Sequence, residues 1–174
     1  MDGFFLLNKE KGITSNQLVQ NIKKSLKFKK VGHLGTLDPM ATGLMVIAAN
    51  RATKFSSYFL ESDKSYHATV KLGCSTDTDD ALGKIIETSD NLPTEEHTHK
   101  VLNSFVGQSL QMAPFYSALK HKGKPLYKYA REGDFILKPP REINVFSIKD
   151  FNFDHDECSF LIHCSKGTYI RSIA

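Results

Sequence analysis

Residues 32–44 read GHLGTLDPMATGL, and the apolar run Leu44-Met45-Val46-Ile47-Ala48-Ala49 overlaps their end. Asp38 precedes Pro39, so its backbone is pushed out of the helical region into an extended form. Gly32, Gly35 and Gly43 bound the segment and admit irregular backbone angles and the close approach of another chain. The expected result is one carboxylate on a bend that feeds straight into a buried strand, a rigid support for a reactive side chain. His33 and Thr36 stand close enough in sequence to serve as polar or stacking partners. Taken alone, an Asp-Pro reads more simply as a turn whose glycines only shape the chain.

Outward from this segment, Phe4-Phe5-Leu6-Leu7 forms a short apolar strand. Thr14-Ser15 caps a helix with Leu18, Ile22 and Leu26 at i, i+4, i+8, and Lys23, Lys24, Lys27, Lys29 and Lys30 lie at or beyond its end. Ala52–Leu60 is a helix candidate. Tyr66, Ala68, Val70 and Leu72 alternate as in a half-buried strand, and Thr94-Glu95-Glu96 opens a helix running to about Val106. Strands follow at about Asn144–Phe153 and Cys158–Ser165, then GTYIRSIA over residues 167–174, which reads as the start of a helix. Helices and strands alternate without regular βαβ spacing. The expected class is α+β, a mixed but mainly antiparallel sheet flanked by helices.

Composition narrows the chemistry. The 174 residues suit one domain with a hydrophobic core, and a formal net charge of +4 permits a polyanionic partner without demanding one. Cys74, Cys158 and Cys164 are odd in number and lack C-x-x-C spacing, which argues against a disulfide framework and a structural zinc site. The amino terminus lacks a basic stretch followed by an apolar one, and no apolar run approaches the roughly 20 residues of a membrane span, so a cytoplasmic setting with no membrane partner is expected. Asp77, Asp79 and Asp80 invite a cation-loop reading. The sixth and twelfth positions counted from Asp77 are Leu82 and Thr88, however, where that loop needs Gly and Glu, so the segment is expected to be surface with no metal.

Several strings together resemble one family. GHLGTLDPMATGLM over residues 32–45 is similar to the signature of the TruB-type tRNA pseudouridine synthases. NKEKGITS (8–15), ATKF (52–55), DKSY (63–66), LG (72–73) with TDTD (76–79), APFYSALK (113–120), LYKYAR (126–131) and CSKGTYIR (164–171) agree in order as well. The resemblance implies that fold and an isomerase that turns uridine into pseudouridine in the T loop of tRNA, at position 55, with no cofactor. It implies Asp38 as the catalytic carboxylate, Tyr66 stacking on the base and assisting proton transfer at carbon 5, and Arg171 pairing with the aspartate. Tyr169 is implied as a pocket residue, and His33 as the residue that helps extrude the uridine.

The stretch from Lys120 to Arg141 is basic and interleaved with Tyr127 and Tyr129, a composition suited to gripping looped RNA. With the resemblance, Lys120, Lys122, Lys124, Lys128, Arg131 and Arg141 of this stretch, together with Lys64 outside it, are the expected RNA contacts. The implied partner is the tRNA T stem-loop, with no obligate protein partner and a monomeric state. Glu10 departs from the proline common in the family's opening motif. The chain stops just after Arg171, so residues 1–174 are expected to be one catalytic domain incomplete at its C-terminus, lacking the family's further RNA-binding domain. A non-catalytic tRNA-binding module, a synthase acting on another RNA, and an unrelated carboxylate hydrolase are the competing readings.

Overall fold

The computed structural model describes residues 1–174, which form two compact units, Met1–Ser62 and Asp63–Ala174. The first contains β1 (Gly3–Lys9), α1 (Ser15–Ser25), β2 (Val31–His33), β3 (Gly43–Ala49), a 3-10 turn (Asn50–Phe55) and α2 (Ser56–Leu60). Its sheet has the order β1-β3-β2, antiparallel throughout. β3 is central, which explains why its sequence is a continuous apolar run rather than an alternating one. Met45 and Ile47 pack with Val19, Phe5 and Leu7, whereas Ala48 packs with Leu34, Ala52 and Phe59.

The start of α1 is set locally. The Thr14 hydroxyl accepts from the Gln17 N–H at 3.1 Å and the Gln17 side chain accepts from the Thr14 N–H at 2.7 Å, a reciprocal capping box. The apolar spacing at Leu18, Val19 and Ile22 then lays one face of the helix towards the sheet.

The second unit contains β4 (Lys64–Lys71), β5 (Cys74–Thr76), β6 (Ile85–Thr88), α3 (Glu95–Ser104), β7 (Gly107–Gln111), β8 (Lys120–His121), β9 (Lys124–Pro125), α4 (Leu126–Arg131), β10 (Arg141–Asp154) and β11 (Glu157–Cys164). Its main sheet runs β4-β11-β10-β7, again antiparallel at each pairing. Alternation on β11 puts Cys158, Phe160, Ile162 and Cys164 on one buried face, where Val70, Leu102, Val145 and Ile173 join them. The fold is α+β with antiparallel sheets and flanking helices, as the sequence led one to expect.

Local details refine the sequence reading. Residues 170–172 form a 3-10 turn, Ile173 keeps helical backbone angles, and the Ala174 N–H donates to the Ile170 carbonyl at 3.2 Å. The 52–60 segment is a 3-10 turn followed by a short α-helix. Within the basic stretch after Lys120, β8 and β9 make a hairpin whose turn residues Lys122 and Gly123 both have positive φ, 47° and 82°, and α4 follows at once.

Candidate active site

In the first unit, the segment carrying Asp38 is held from several sides. The Ser15 hydroxyl, at the start of α1, donates to the Leu37 carbonyl at 2.9 Å and accepts from the Leu37 N–H at 3.0 Å. The Gly12 N–H donates to the Pro39 carbonyl at 2.8 Å, and the Ala41 N–H donates to the Asp38 carbonyl at 3.0 Å, closing a turn over residues 38–41. Lys9, at the end of β1, is fully shielded from solvent. Its ammonium donates to the carbonyls of Ile13 (2.7 Å), Glu10 (3.0 Å) and Pro39 (3.2 Å). Three N–H bonds thus meet three acceptors. Burial lowers the Lys9 pKa, and the negative charge of Asp38 works against that shift. The Asp38 carboxylate, half-buried, therefore sits in the field of a dry ammonium on a backbone that hydrogen bonds hold still.

His33 ends β2 next to this segment. Its ring is half-buried, its Nδ1 is buried without a hydrogen-bond partner, and burial lowers its pKa, opposed by a backbone interaction with Gly35. Burial thus favours the neutral imidazole over the charged one, and the Gly35 backbone only partly offsets it. The pH dependence has a definite sign. Above pH 7 the ring is neutral in both folded and unfolded chains and contributes nothing. As pH falls below the ordinary value of 6.5 the unfolded chain takes the proton first, so stability drops until the depressed folded pKa is passed. Urea midpoints measured from pH 7.5 to 5 are expected to fall more steeply for the native chain than for His33→Gln.

In the second unit, Arg171 lies on the final 3-10 turn. Its side chain is 10% exposed and faces that of Asp80, 11% exposed, with Nη1 at 3.7 Å from Oδ2. Nη2 donates to the Tyr116 carbonyl at 2.9 Å, and the guanidinium stands 5.7 Å from the Tyr169 ring centre. The Gln111 side chain fixes Tyr169 through two backbone bonds, accepting from its N–H at 2.8 Å and donating to its carbonyl at 3.0 Å. Asp80 in turn accepts from the Thr78 hydroxyl and the Leu82 N–H, both at 2.9 Å. A cleft of about 650 Å³ lies behind this network, lined in part by Asp79, Tyr116 and Ser172; none of the expected catalytic residues lines it.

Tyr66 is half-buried on β4, paired with Ile162 of β11 and packed against the core of that unit. Among the expected RNA contacts, Lys120, Lys122, Lys128, Arg131 and Arg141 are exposed. Lys124 pairs with Glu132 and lies 4.4 Å over the Tyr129 ring, while Arg131 stands 5.4 Å from the Tyr127 ring centre. Lys64 is half-buried, and burial lowers its pKa.

Residues 23–170 match the TruB family pseudouridylate synthase (N terminal domain). The chain belongs to this family. It is 48% identical over its whole length to tRNA pseudouridine synthase B of Francisella philomiragia, spanning 58% of that protein, and 46% identical to that of Shewanella pealeana, spanning 55%. The chain thus covers little more than half the length of these curated relatives. A chain in a crystal structure of a Cbf5-Nop10-Gar1 complex is similar in fold, with TM-score 0.72 and 29% identity over 98% of this chain and 42% of that one. A chain in an H/ACA RNP bound to a substrate RNA containing 2'-deoxyuridine gives TM-score 0.69 and 25% identity over 98% of this chain and 40% of that one.

Within this TruB-family chain, His33 and Asp38 belong to the first unit, and Tyr66, Tyr169 and Arg171 to the second. The second unit brings Tyr169 and Arg171 together. Asp80 is the residue that sequence reasoning missed. Residues 75–80 were expected to be surface, but the Asp80 carboxylate is largely buried against Arg171. A readable signal was present, in the Thr78-x-Asp80 spacing of a side-chain turn followed closely by Gly83. A Cβ on Gly83 would collide with the Thr78 hydroxyl and stand 2.7 Å from an Asp77 oxygen and 2.8 Å from the Thr76 Cβ. The threonine hydroxyl cannot yield without giving up Asp80. Gly83→Ala is therefore expected to destabilise the chain by about 1–3 kcal/mol, and to reduce any catalysis through a displaced Asp80. Urea unfolding and initial rates measured on the same samples check both parts.

Proposed function

We propose that this chain isomerises uridine to pseudouridine in the T loop of tRNA, at position 55, with Asp38 as the catalytic carboxylate, in a cytoplasmic setting. The observation that carries this reading is the clamped Asp38 segment: a half-buried carboxylate on a backbone tied down by Lys9, Gly12 and Ser15, in a chain of this family. The relatives' names support tRNA as the substrate.

The reaction breaks the bond between uracil N1 and the ribose and forms one between carbon 5 and the same anomeric carbon; carbon 5 gives up its proton and N1 takes one. The product is an isomer of the substrate, so no redox carrier is required. The uridine must leave its stack, at a cost of a few kcal/mol that a loop substrate reduces. Asp38 then acts on the sugar, as a nucleophile at the anomeric carbon or as a base towards a neighbouring sugar proton. In this reading Arg171 contributes a guanidinium held in place by Asp80 and the Tyr116 carbonyl. Tyr66 and Tyr169 offer faces to the base, and His33, neutral, supports the extruded nucleotide. The exposed cations of β8, α4 and β10 hold the stem through its phosphates.

The test is to incubate unmodified tRNA with the chain and map pseudouridine by position. Product at the T-loop uridine supports the proposal. Product elsewhere makes the chain a synthase for another site, and tight binding without product makes it a binding module.

A further inference from the structure

The positive charge of the chain is unevenly placed. Residues 1–62 hold nine Lys and Arg against four Asp and Glu, an excess larger than that of the whole chain, and five of the nine are Lys23, Lys24, Lys27, Lys29 and Lys30. Two of these sit in the last turn of α1, where cations suit the helix dipole. The dipole does not account for the other three, which lie beyond the helix. Lys24, Lys27, Lys29 and Lys30 are exposed, and none of the five forms an ion pair with a carboxylate. Asn50 takes the Lys30 N–H on its side-chain oxygen at 3.1 Å and donates its own N–H to the Lys30 carbonyl at 2.7 Å. That link sets the exposed Arg51 beside the end of the run. Lys27 and Lys29 also border a shallow groove of about 390 Å³, shared with Met1, Leu26, Phe28 and Asn50.

Lys27 stands where a helix usually ends in glycine. The Phe28 N–H donates to the Lys23 carbonyl at 3.1 Å and the Lys27 N–H to the Lys24 carbonyl at 3.3 Å, the two bonds of a Schellman motif. Lys27 takes its left-handed position, with φ 52°. A side chain at that position is strained relative to glycine, yet here it is a lysine, adding to a cluster that already repels itself.

We infer that this end of α1 is a second phosphate-binding surface, which holds the backbone of the RNA outside the loop that reacts. The inference rests on the proposed function. The other end of α1 is tied to the Asp38 segment through Ser15, and the helix is 11 residues, or about 16 Å, long. An RNA with its target nucleotide at Asp38 meets these lysines several nucleotides away, on its body rather than its loop. Lysines without carboxylate partners suit phosphates, because each one engaged releases a condensed counterion.

The test combines Lys24→Gln, Lys27→Gly and Lys29→Gln in one chain. Lys27→Gly removes a charge and relieves φ strain together, so the thermal midpoint is expected to hold or rise, which separates lost binding from lost folding. Binding to an unmodified tRNA transcript should weaken roughly tenfold at moderate salt, and the slope of log K against log salt should become shallower by about two. KM should rise by the same factor with kcat unchanged, and the isolated T stem-loop should lose less than twofold. Unchanged affinity and slope overturn the inference, as does an equal loss on tRNA and stem-loop. Binding of the native chain to phosphatidylserine vesicles more tightly than to tRNA, lost in the variant, reassigns the surface to a membrane and also overturns it. Affinity and slope need no turnover. A native chain that makes no pseudouridine therefore counts against the proposed function alone.

Discussion

Asp38→Asn is expected to fold, to bind tRNA within about twofold of the native affinity, and to lower the rate of pseudouridine formation by about 10⁴-fold or more. The amide keeps the shape of the side chain and removes both its nucleophilicity and its basicity. The hydrogen bonds that hold the segment run through the backbone of residues 37–41 and through Lys9, so the substitution leaves them in place. It does remove the negative charge that opposes the burial-driven fall of the Lys9 pKa, which should fall further. Single-turnover measurement with saturating enzyme separates chemistry from binding. Turnover near the native rate would remove Asp38 from the mechanism, and lost RNA binding with an intact fold would make it a binding residue instead.

The parts of the fold that were legible in the sequence are those specified locally. Thr14, Gln17 and the spacing of Leu18 and Ile22 define α1 without help from the rest of the chain. β10 and β11 are long enough for their apolar residues to show. β2, β5, β6, β8 and β9 are two to four residues each, too short for any periodicity, and they exist because a partner strand is already there. Gln111, on another strand, holds Tyr169 extended just before the final 3-10 turn, a long-range bond that sequence alone does not show. At the site, Asp38 was legible because proline and glycine mark the backbone around it. Asp80 was not, because an aspartate in a polar run looks solvated until the arginine that buries it is known. Glu10 looked like a disturbance of the opening motif. In the structure its side chain is exposed and only its carbonyl is used, by Lys9.

Lys9 is the residue whose loss should cost the fold most. On β1 it shares the parity of Phe5 and Leu7, both packed in the core, so strand alternation directs it inward. A lysine there is tolerable because its ammonium finds the carbonyls of Glu10, Ile13 and Pro39 and lies near Asp38. Lys9→Met fills similar volume but supplies no donor. It leaves the Glu10 and Ile13 carbonyls without that partner, whereas the Pro39 carbonyl keeps the Gly12 N–H. With an unmet acceptor costing about 1–3 kcal/mol when shielded, and the ammonium's own desolvation cost relieved in part, the expected loss is about 1–4 kcal/mol, read as a lower urea midpoint. Catalysis should suffer beyond the unfolded fraction, because one of the ties on the Asp38 segment is gone. Rates corrected for folded protein should still lie roughly tenfold or more below native, since reacting groups misplaced by a fraction of an ångström lose that much. A Lys9→Met chain with an unchanged midpoint would mean that the buried ammonium is not what holds this loop. A lower midpoint with native corrected rates would mean that Lys9 stabilises the fold without positioning the carboxylate.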